Sequence, residues 1–318
     1  MFKELRIVVV LPAYNEENTI SQVIESFYKV IPEAEIWIIN NRSEDSTEII
    51  AKEALLRLNC KGGIINEYRQ GKGNAVQRAF NDLDADIYIL ADADMTYPAD
   101  QVRILMAPIL SNDFDMVVGD RQSSGSYASE NKRPLHNLGN LLVRNLVNTL
   151  FNANLIDIMS GYRIFNRRFV KNYPILVEGF EIETDMTLHA LDKNFRILEI
   201  PISYRDRPRG SFSKLNTFSD GSRVIYTIGK ILRYYRPLLF FGVASLFFLV
   251  LGLISAIPVF EDWVKERYIN HLPLAILAVG LEIVSIILFA IALILDSAAY
   301  HQKKIFAKDL LQQKTEII

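Results

Sequence analysis

Apolar and polar positions alternate along this chain in two different ways, and the change between them falls near Leu238. The first part shows short β-branched runs separated by stretches of helical spacing. Leu5 to Leu11 is a continuous apolar run closed by Pro12, as expected of a strand buried on both faces. Ile20, Val23, Ile24, Phe27 and Val30 then fall on one face of a helix. Ala34 to Ile39 predicts a second strand. Asp45 with Glu48 three residues later resembles a capping box opening a helix from Ser46 to about Asn59. Gly63 to Asn66 predicts a third strand, Gly71 to Leu83 a third helix, Ile87 to Ala91 a fourth strand and Asp115 to Val118 a fifth. Strands alternating with helices imply right-handed crossovers and a mostly parallel α/β sheet covered on both faces.

Beyond Leu238 the pattern becomes that of a membrane hairpin. Residues 238–257 carry no charge and residues 272–295 carry one, Glu282. Either run spans a hydrocarbon core of roughly 30 Å at about 1.5 Å per residue. Ahead of them, Val224, Ile225, Ile228, Ile231 and Leu232 recur at helical spacing beside Arg223, Lys230 and Arg233, which predicts a helix lying in the membrane interface. The divisions expected are a catalytic domain at 1–210, a juxtamembrane amphipathic segment at 211–237, a transmembrane hairpin at 238–296 and a tail at 297–318. Arg233 and Arg236 precede the first span, and Lys303, Lys304 and Lys308 follow the second. The connecting loop holds only Lys265 and Arg267. The positive-inside rule therefore puts the first domain and the tail in the cytoplasm. Glu282 falls near mid-bilayer, where a lone charge is costly, so it is expected to be protonated or to meet a polar partner at a helix interface, within the chain or between subunits.

Composition adds little. Half of the 318 residues are hydrophobic and the net charge is −2, with no general sign of nucleic-acid binding. The single Cys60 excludes an internal disulfide framework and fits a reducing compartment. Met1 to Arg6 leads into a strand-like run without the pattern of a cleavable signal peptide.

The chemistry is expected at Asp92-Ala93-Asp94, where the fourth strand ends in two carboxylates one residue apart. Hard cations such as Mg²⁺ take oxygen ligands and share their shell with substrate phosphates, and a sugar nucleotide supplies a diphosphate. Two solvated strand-end carboxylates would look the same. Ligands of open α/β sheets bind at the carboxyl ends of the strands. Two further polar loops belong there: Pro12-Ala13-Tyr14-Asn15-Glu16-Glu17 after the first strand, and Asn40-Asn41-Arg42-Ser43-Glu44-Asp45 after the second.

These loops, with Gln70 to Ala75 (QGKGNA) and Ala91 to Pro98 (ADADMTYP), resemble glycosyltransferase family 2, whose nucleotide-sugar domain is the GT-A fold. Met159 to Phe165 (MSGYRIF), Gly179 to Thr184 (GFEIET) and Arg207 to Leu215 (RPRGSFSKL) resemble its polyprenyl-phosphate branch, which includes dolichyl-phosphate mannose synthase and undecaprenyl-phosphate glucosyltransferases. The resemblance implies that Pro12, Tyr14, Glu16 and Asn41 line the base and ribose pocket, and that Asp92 and Asp94 hold Mg²⁺ or Mn²⁺ and the diphosphate. Asn40 stands where the family usually has Asp, so the choice between a UDP-sugar and a GDP-sugar stays open. Lys72, between two glycines, could approach the nucleotide or sit in a solvated turn.

On the acceptor side, the resemblance places Arg121, Arg133, Arg163, Arg209 and Lys214 around a lipid phosphate. Guanidinium groups grip phosphate through paired hydrogen bonds. Ser160 and Gly161 could add backbone N–H groups, whereas Arg144 is expected on a helix surface. Glu181, Glu183 and Asp185 open a helix as an acidic cluster. A phosphate monoester, with a second pKa of about 6, needs no strong base. Glu181 and Glu183 are therefore expected to orient the site, or to serve as helix-capping charge. The expected activity is inverting transfer of a sugar from a nucleotide diphosphate sugar to undecaprenyl or dolichyl phosphate at the cytoplasmic or inner membrane. The resemblance also implies a homo-oligomer, a tetramer. A processive polysaccharide synthase would carry a Gln-x-x-Arg-Trp motif, which is absent. A silent scaffold of the same fold would lack the intact Asp92 and Asp94.

Overall fold

The structure is a computed structural model that describes residues 5–123, 134–177, 181–204 and 220–315. The chain divides into two compact units, Met1–Phe218 and Ser219–Ile318.

The first unit is an α/β layer structure. In chain order it runs β1 (Ile7–Ala13), α1 (Ile20–Val30), β2 (Glu35–Asn40), α2 (Thr47–Leu58), β3 (Gly62–Asn66), α3 (Lys72–Asp82) and β4 (Ile87–Leu90). A 3₁₀ turn at Ala99–Gln101 leads into α4 (Val102–Leu110) and β5 (Met116–Asp120). Then come α5 (Pro134–Phe151), β6 (Arg163–Asn166), α6 (Arg167–Lys171), α7 (Ile182–Asp192) and β7 (Ile197–Pro201). The strands form one sheet in the order β3-β2-β1-β4-β6-β5-β7. Only β6 is reversed, pairing antiparallel with both β4 and β5. Val8, Val9, Val10 and Leu11 of β1 are fully buried, because helices cover both faces. The parallel register sets Ala13 beside Asn40 and Asn40 beside Asn66, so three strands end on one level. Val10 pairs with Leu90, which carries the residues after β4 to that same rim.

One local expectation is corrected. Glu48 does not fold back as a capping-box partner; Asp45 caps α2 instead, its Oδ1 accepting from the Thr47 N–H at 3.0 Å and from the Thr47 hydroxyl at 2.5 Å. Among the described residues of α5, Val143 and Val147 are buried, whereas Leu141 and Leu142 are exposed. Strands β6 and β7 have no counterpart in the periodicity.

The second unit holds α8 (Asp220–Tyr235), α9 (Pro237–Glu266) and α10 (Leu272–Thr315). Both long helices are apolar and long enough to cross a membrane. They outlast the apolar runs, so the polar connection contracts to the few residues between Glu266 and Leu272. Small residues line their contact, as helices in lipid require for close approach. The Ser245 hydroxyl donates to the Ser285 carbonyl at 2.9 Å, and the Ser285 hydroxyl donates to the Ser245 carbonyl at 2.9 Å. Ala278, Ser285 and Ala292, seven residues apart, are buried on α10. Glu282 packs over Gly252 of the same hairpin, where a Cβ would meet its Oε1 at 2.6 Å. Among the described residues this buried oxygen has no hydrogen-bond partner.

His189 on α7 is buried among the rings of Phe169, Tyr173 and Phe195. Burial, aided by Lys193, pushes its pKa down to about 4 against an opposing pull from Asp192. The unfolded chain therefore takes up this proton first as pH falls, so the stability due to neutral His189 is complete above pH 6.5 and is lost towards pH 4. The loss approaches about 3 kcal/mol. His189→Phe should accordingly lose less thermal stability than the parent between pH 7 and pH 4.5; parallel pH profiles would contradict this.

Candidate active site

The site is built at the rim where β1, β2 and β4 end. The loops after β1 and β2 are zipped together. The Asn15 N–H donates to Ser43 Oγ at 3.1 Å, and the Glu44 N–H donates back to Asn15 Oδ1 at 2.8 Å. The Glu16 N–H donates to Thr47 Oγ1 at 2.8 Å. Pro12, Tyr14 and Glu16 remain half-buried on this rim.

Asn40 and Asn41 are buried and engaged. Asn40 Nδ2 donates to Glu48 Oε2 and to Asn66 Oδ1, both at 2.9 Å, while its Oδ1 accepts from the Ser43 N–H at 3.1 Å. Asn41 clamps the loop ahead of α3. Its Nδ2 donates to the Arg69 carbonyl at 2.7 Å, and its Oδ1 accepts from the Gly71 N–H at 2.7 Å. Gly71 has φ of +133°, a conformation that glycine adopts without a Cβ penalty. This clamp aims the next residue, Lys72, under the sheet rim.

Lys72 is not in a solvated turn. Its Nζ lies 2.5 Å from Asp92 Oδ1 and 2.5 Å from Glu183 Oε1, with side-chain exposures of 8% for Lys72, 27% for Asp92 and 7% for Glu183. Burial pulls the ammonium's pKa down, but the Asp92 and Glu183 charges more than offset it, and the net direction is up. Gly161 forms one wall. A Cβ there would stand 2.9 Å from Lys72 Nζ, 3.1 Å from Asp92 Oδ2 and 3.2 Å from the Tyr97 hydroxyl. The Tyr97 hydroxyl, buried and with its pKa raised by that burial, accepts from the Gly161 N–H at 2.8 Å. Asp94 is buried in the following turn, its Oδ1 accepting from the Thr96 hydroxyl at 2.6 Å.

The acceptor-side expectations separate. Arg163 is fully buried, and its guanidinium is not presented to an incoming phosphate. It donates to the Ser160 carbonyl at 2.8 Å, the Ile158 carbonyl at 2.7 Å and Thr187 Oγ1 at 2.9 Å. Ser160 is equally buried. The arginine is a strut that ties the 158–160 turn to α7 and so places Gly161. Arg121 is paired in bidentate fashion with buried Asp157, at 2.8 and 2.9 Å. Glu199 of β7 in turn accepts from the Ile156 and Asp157 N–H groups at 2.6 and 2.7 Å. Arg121 also lies over the Tyr204 ring, 5.7 Å from its centroid, and Tyr204 packs against Tyr97. Glu181 is exposed at the N-cap of α7. Arg133, Arg209 and Lys214, with Gly179 and Phe180, lie outside the described residues. Asp157, Glu199 and Tyr204 carried no periodic or motif signal of a role, since each acts through partners far away in sequence; Tyr97 lies within the ADADMTYP motif but carried no expected role.

The chemistry of the donor set fits a hard divalent cation. Asp92 and Asp94 supply two carboxylates at one strand end, and Lys72 already places a positive charge against Asp92. Among the described residues no three metal-ligating side chains are gathered into a cage. Mg²⁺ and Mn²⁺ take one or two carboxylates and complete their shell with phosphate and water.

Comparison with known proteins identifies relatives of the chain and of its fold. A glycosyltransferase AglJ of Haloferax volcanii is 29% identical over 86% of this chain and 86% of its own. A dolichyl-phosphate hexose transferase of the same organism is 27% identical over 70% of this chain and 92% of its own. Among solved structures, the fold is shared with glucosyl-3-phosphoglycerate synthase from Mycobacterium tuberculosis, crystallised with Mn²⁺, uridine diphosphate and phosphoglyceric acid. The TM-score is 0.55 at 22% identity, covering 72% of this chain and 78% of that one. Residues 8–173 match the family model described as glycosyl transferase family 2. The chain belongs to glycosyl transferase family 2.

Proposed function

We propose that this protein transfers a sugar from a nucleotide diphosphate sugar to a polyprenyl phosphate at the cytoplasmic membrane. The observation that carries the reading is the Lys72, Asp92 and Glu183 cluster at the carboxyl end of β4, in a family 2 chain that also has two helices of membrane-crossing length. The dolichyl-phosphate hexose transferase relative supports the acceptor class. An oxygen of the lipid phosphate attacks the anomeric carbon, the bond to the nucleotide diphosphate breaks, and the configuration inverts.

In this reading Asp92 and Asp94 hold the cation and, through it, the diphosphate. Mg²⁺ or Mn²⁺ bound there neutralises charge building on the departing diphosphate. The loops holding Pro12, Tyr14 and Glu16 take the nucleoside, and Asn40 and Asn41 shape that pocket from beneath. Arg133, Arg209 and Lys214 receive the lipid phosphate, Arg121 is held by Asp157 as part of the framework of the site, and Arg163 serves by positioning Gly161. Glu183 acts as counter-charge to Lys72 and not as a base, because the phosphate is already anionic at neutral pH. The catalytic unit and the C-terminal end of α10 face the cytoplasm, in keeping with Lys303, Lys304 and Lys308.

The test is nucleotide diphosphate release by the purified, detergent-solubilised protein with Mg²⁺ or Mn²⁺, across a panel of UDP- and GDP-sugars, with and without undecaprenyl phosphate. Release should need the lipid and fall by about 10²-fold in Asp94→Asn, whereas Glu181→Gln should cost less than about tenfold. Lipid-independent release, or equal losses in the two variants, would count against the assignment. Gly161→Ala should fold normally and lower turnover by about tenfold, because the added methyl displaces Lys72 from Asp92. Unchanged turnover would show that this spacing does not matter.

A further inference from the structure

We infer that Lys72 is the resident cation of the Asp92 site, and that a divalent metal must displace it from Asp92 to bind. The inference rests on the proposed metal role of Asp92 and Asp94, and concerns what precedes metal entry. Lys72 Nζ sits 2.5 Å from Asp92 Oδ1, the face a metal would share. Mg²⁺ binds its carboxylate oxygens at about 2.1 Å, so an ammonium on the same oxygen would stand within repulsive reach of two positive charges. The cluster is nearly closed to solvent on the Lys72 side, where the repulsion is poorly screened.

The geometry also provides a place for the displaced charge. Glu183 Oε1 lies at the same 2.5 Å from the ammonium, so Lys72 can let go of Asp92 and keep one partner. A buried ammonium stripped of all partners would be strongly destabilising; one left on Glu183 is not. The wall formed by Gly161 and Tyr97 limits movement in the other direction. Once displaced, the ammonium is set to face an anionic diphosphate. Metal and nucleotide should then favour each other's binding, with the metal weak alone and tight when the diphosphate is present. Lys72 carries that coupling, acting as a positioning residue for the cation site and not as a ligand.

The experiment follows free Mn²⁺ by electron paramagnetic resonance while the full-length, detergent-purified protein is titrated with and without UDP. Lys72→Met should bind Mn²⁺ about tenfold more tightly without UDP, and the further tightening brought by UDP should shrink by a similar factor. Adding Asp92→Asn to Lys72→Met should abolish the gain, which a structural effect elsewhere would not do. Glu183→Gln leaves Lys72 on Asp92 alone and should weaken Mn²⁺ binding by about fivefold. It also serves if Lys72→Met fails to elute as a single species. Mn²⁺ affinity in Lys72→Met equal to or weaker than the parent's would overturn the inference, as would an unaltered Glu183→Gln. If the parent binds Mn²⁺ with UDP and Asp94→Asn does not, the metal reading stands whatever Lys72 shows. If the parent binds none even with UDP, both fall.

Discussion

A buried ammonium is tolerable only where opposite charge meets it at close range, and Lys72 imposes that condition on three separate elements. Its own backbone opens α3, Asp92 follows β4, and Glu183 sits in the first turn of α7. Removing both carboxylates from the ammonium would leave a charge uncompensated in a desolvated place, which costs several kcal/mol. Glycine at 161 belongs to the same packing, since a Cβ there would stand 2.9 Å from the ammonium and press on it. The electrostatics of one pair of contacts thus fixes where a loop, a strand end and a helix start must meet.

The surrounding polar groups keep that meeting point rigid by binding backbone. Asn41 clamps the approach to α3 with both ends of its carboxamide. Arg163 binds two carbonyls of the 158–160 turn, and Glu199 binds two N–H groups just before it. Buried backbone groups must be paired, and here side chains supply the partners that no strand or helix provides. An irregular segment running along the site is thereby held as firmly as a strand. Asp157, fixed by Glu199, passes the constraint on to Arg121, and Arg121 lies against the aromatic pair Tyr204 and Tyr97.

How much of this is legible in the sequence depends on the range of the interactions. Strands β1, β2 and β4 announce themselves because fully buried parallel strands read as unbroken apolar runs, and α1 because its apolar face repeats at helical spacing. Strand β6 does not, since half of its four residues are Arg163 and Asn166, whose side chains reach Thr187 and Asp115, far away in sequence. The same reason misassigns Arg163. A guanidinium in a motif invites a phosphate, yet backbone carbonyls from the 158–160 turn take its hydrogens first. Asp92 was readable from its place at a strand end, but its pairing with Lys72, 20 residues earlier, and through it with Glu183 was not. The two long apolar helices were readable in place. Their helical extension through Pro258 and past Leu295 was not, because a helix end is set by caps and contacts and not by hydropathy alone.

Asn40 gains a local explanation from its neighbours. Its amide nitrogen donates to Glu48 Oε2, and Asn66 Nδ2 approaches Glu48 Oε1 at 3.4 Å. An aspartate at position 40 would place a second carboxylate against Glu48 and remove the donor that holds it, a repulsive pair in a half-buried setting. With asparagine, one carboxylate remains at this corner, carried by Glu48 and held at the strand-end level by two amides. The neutral residue is therefore matched to the charge beside it, just as the charge on Lys72 is matched by Asp92 and Glu183.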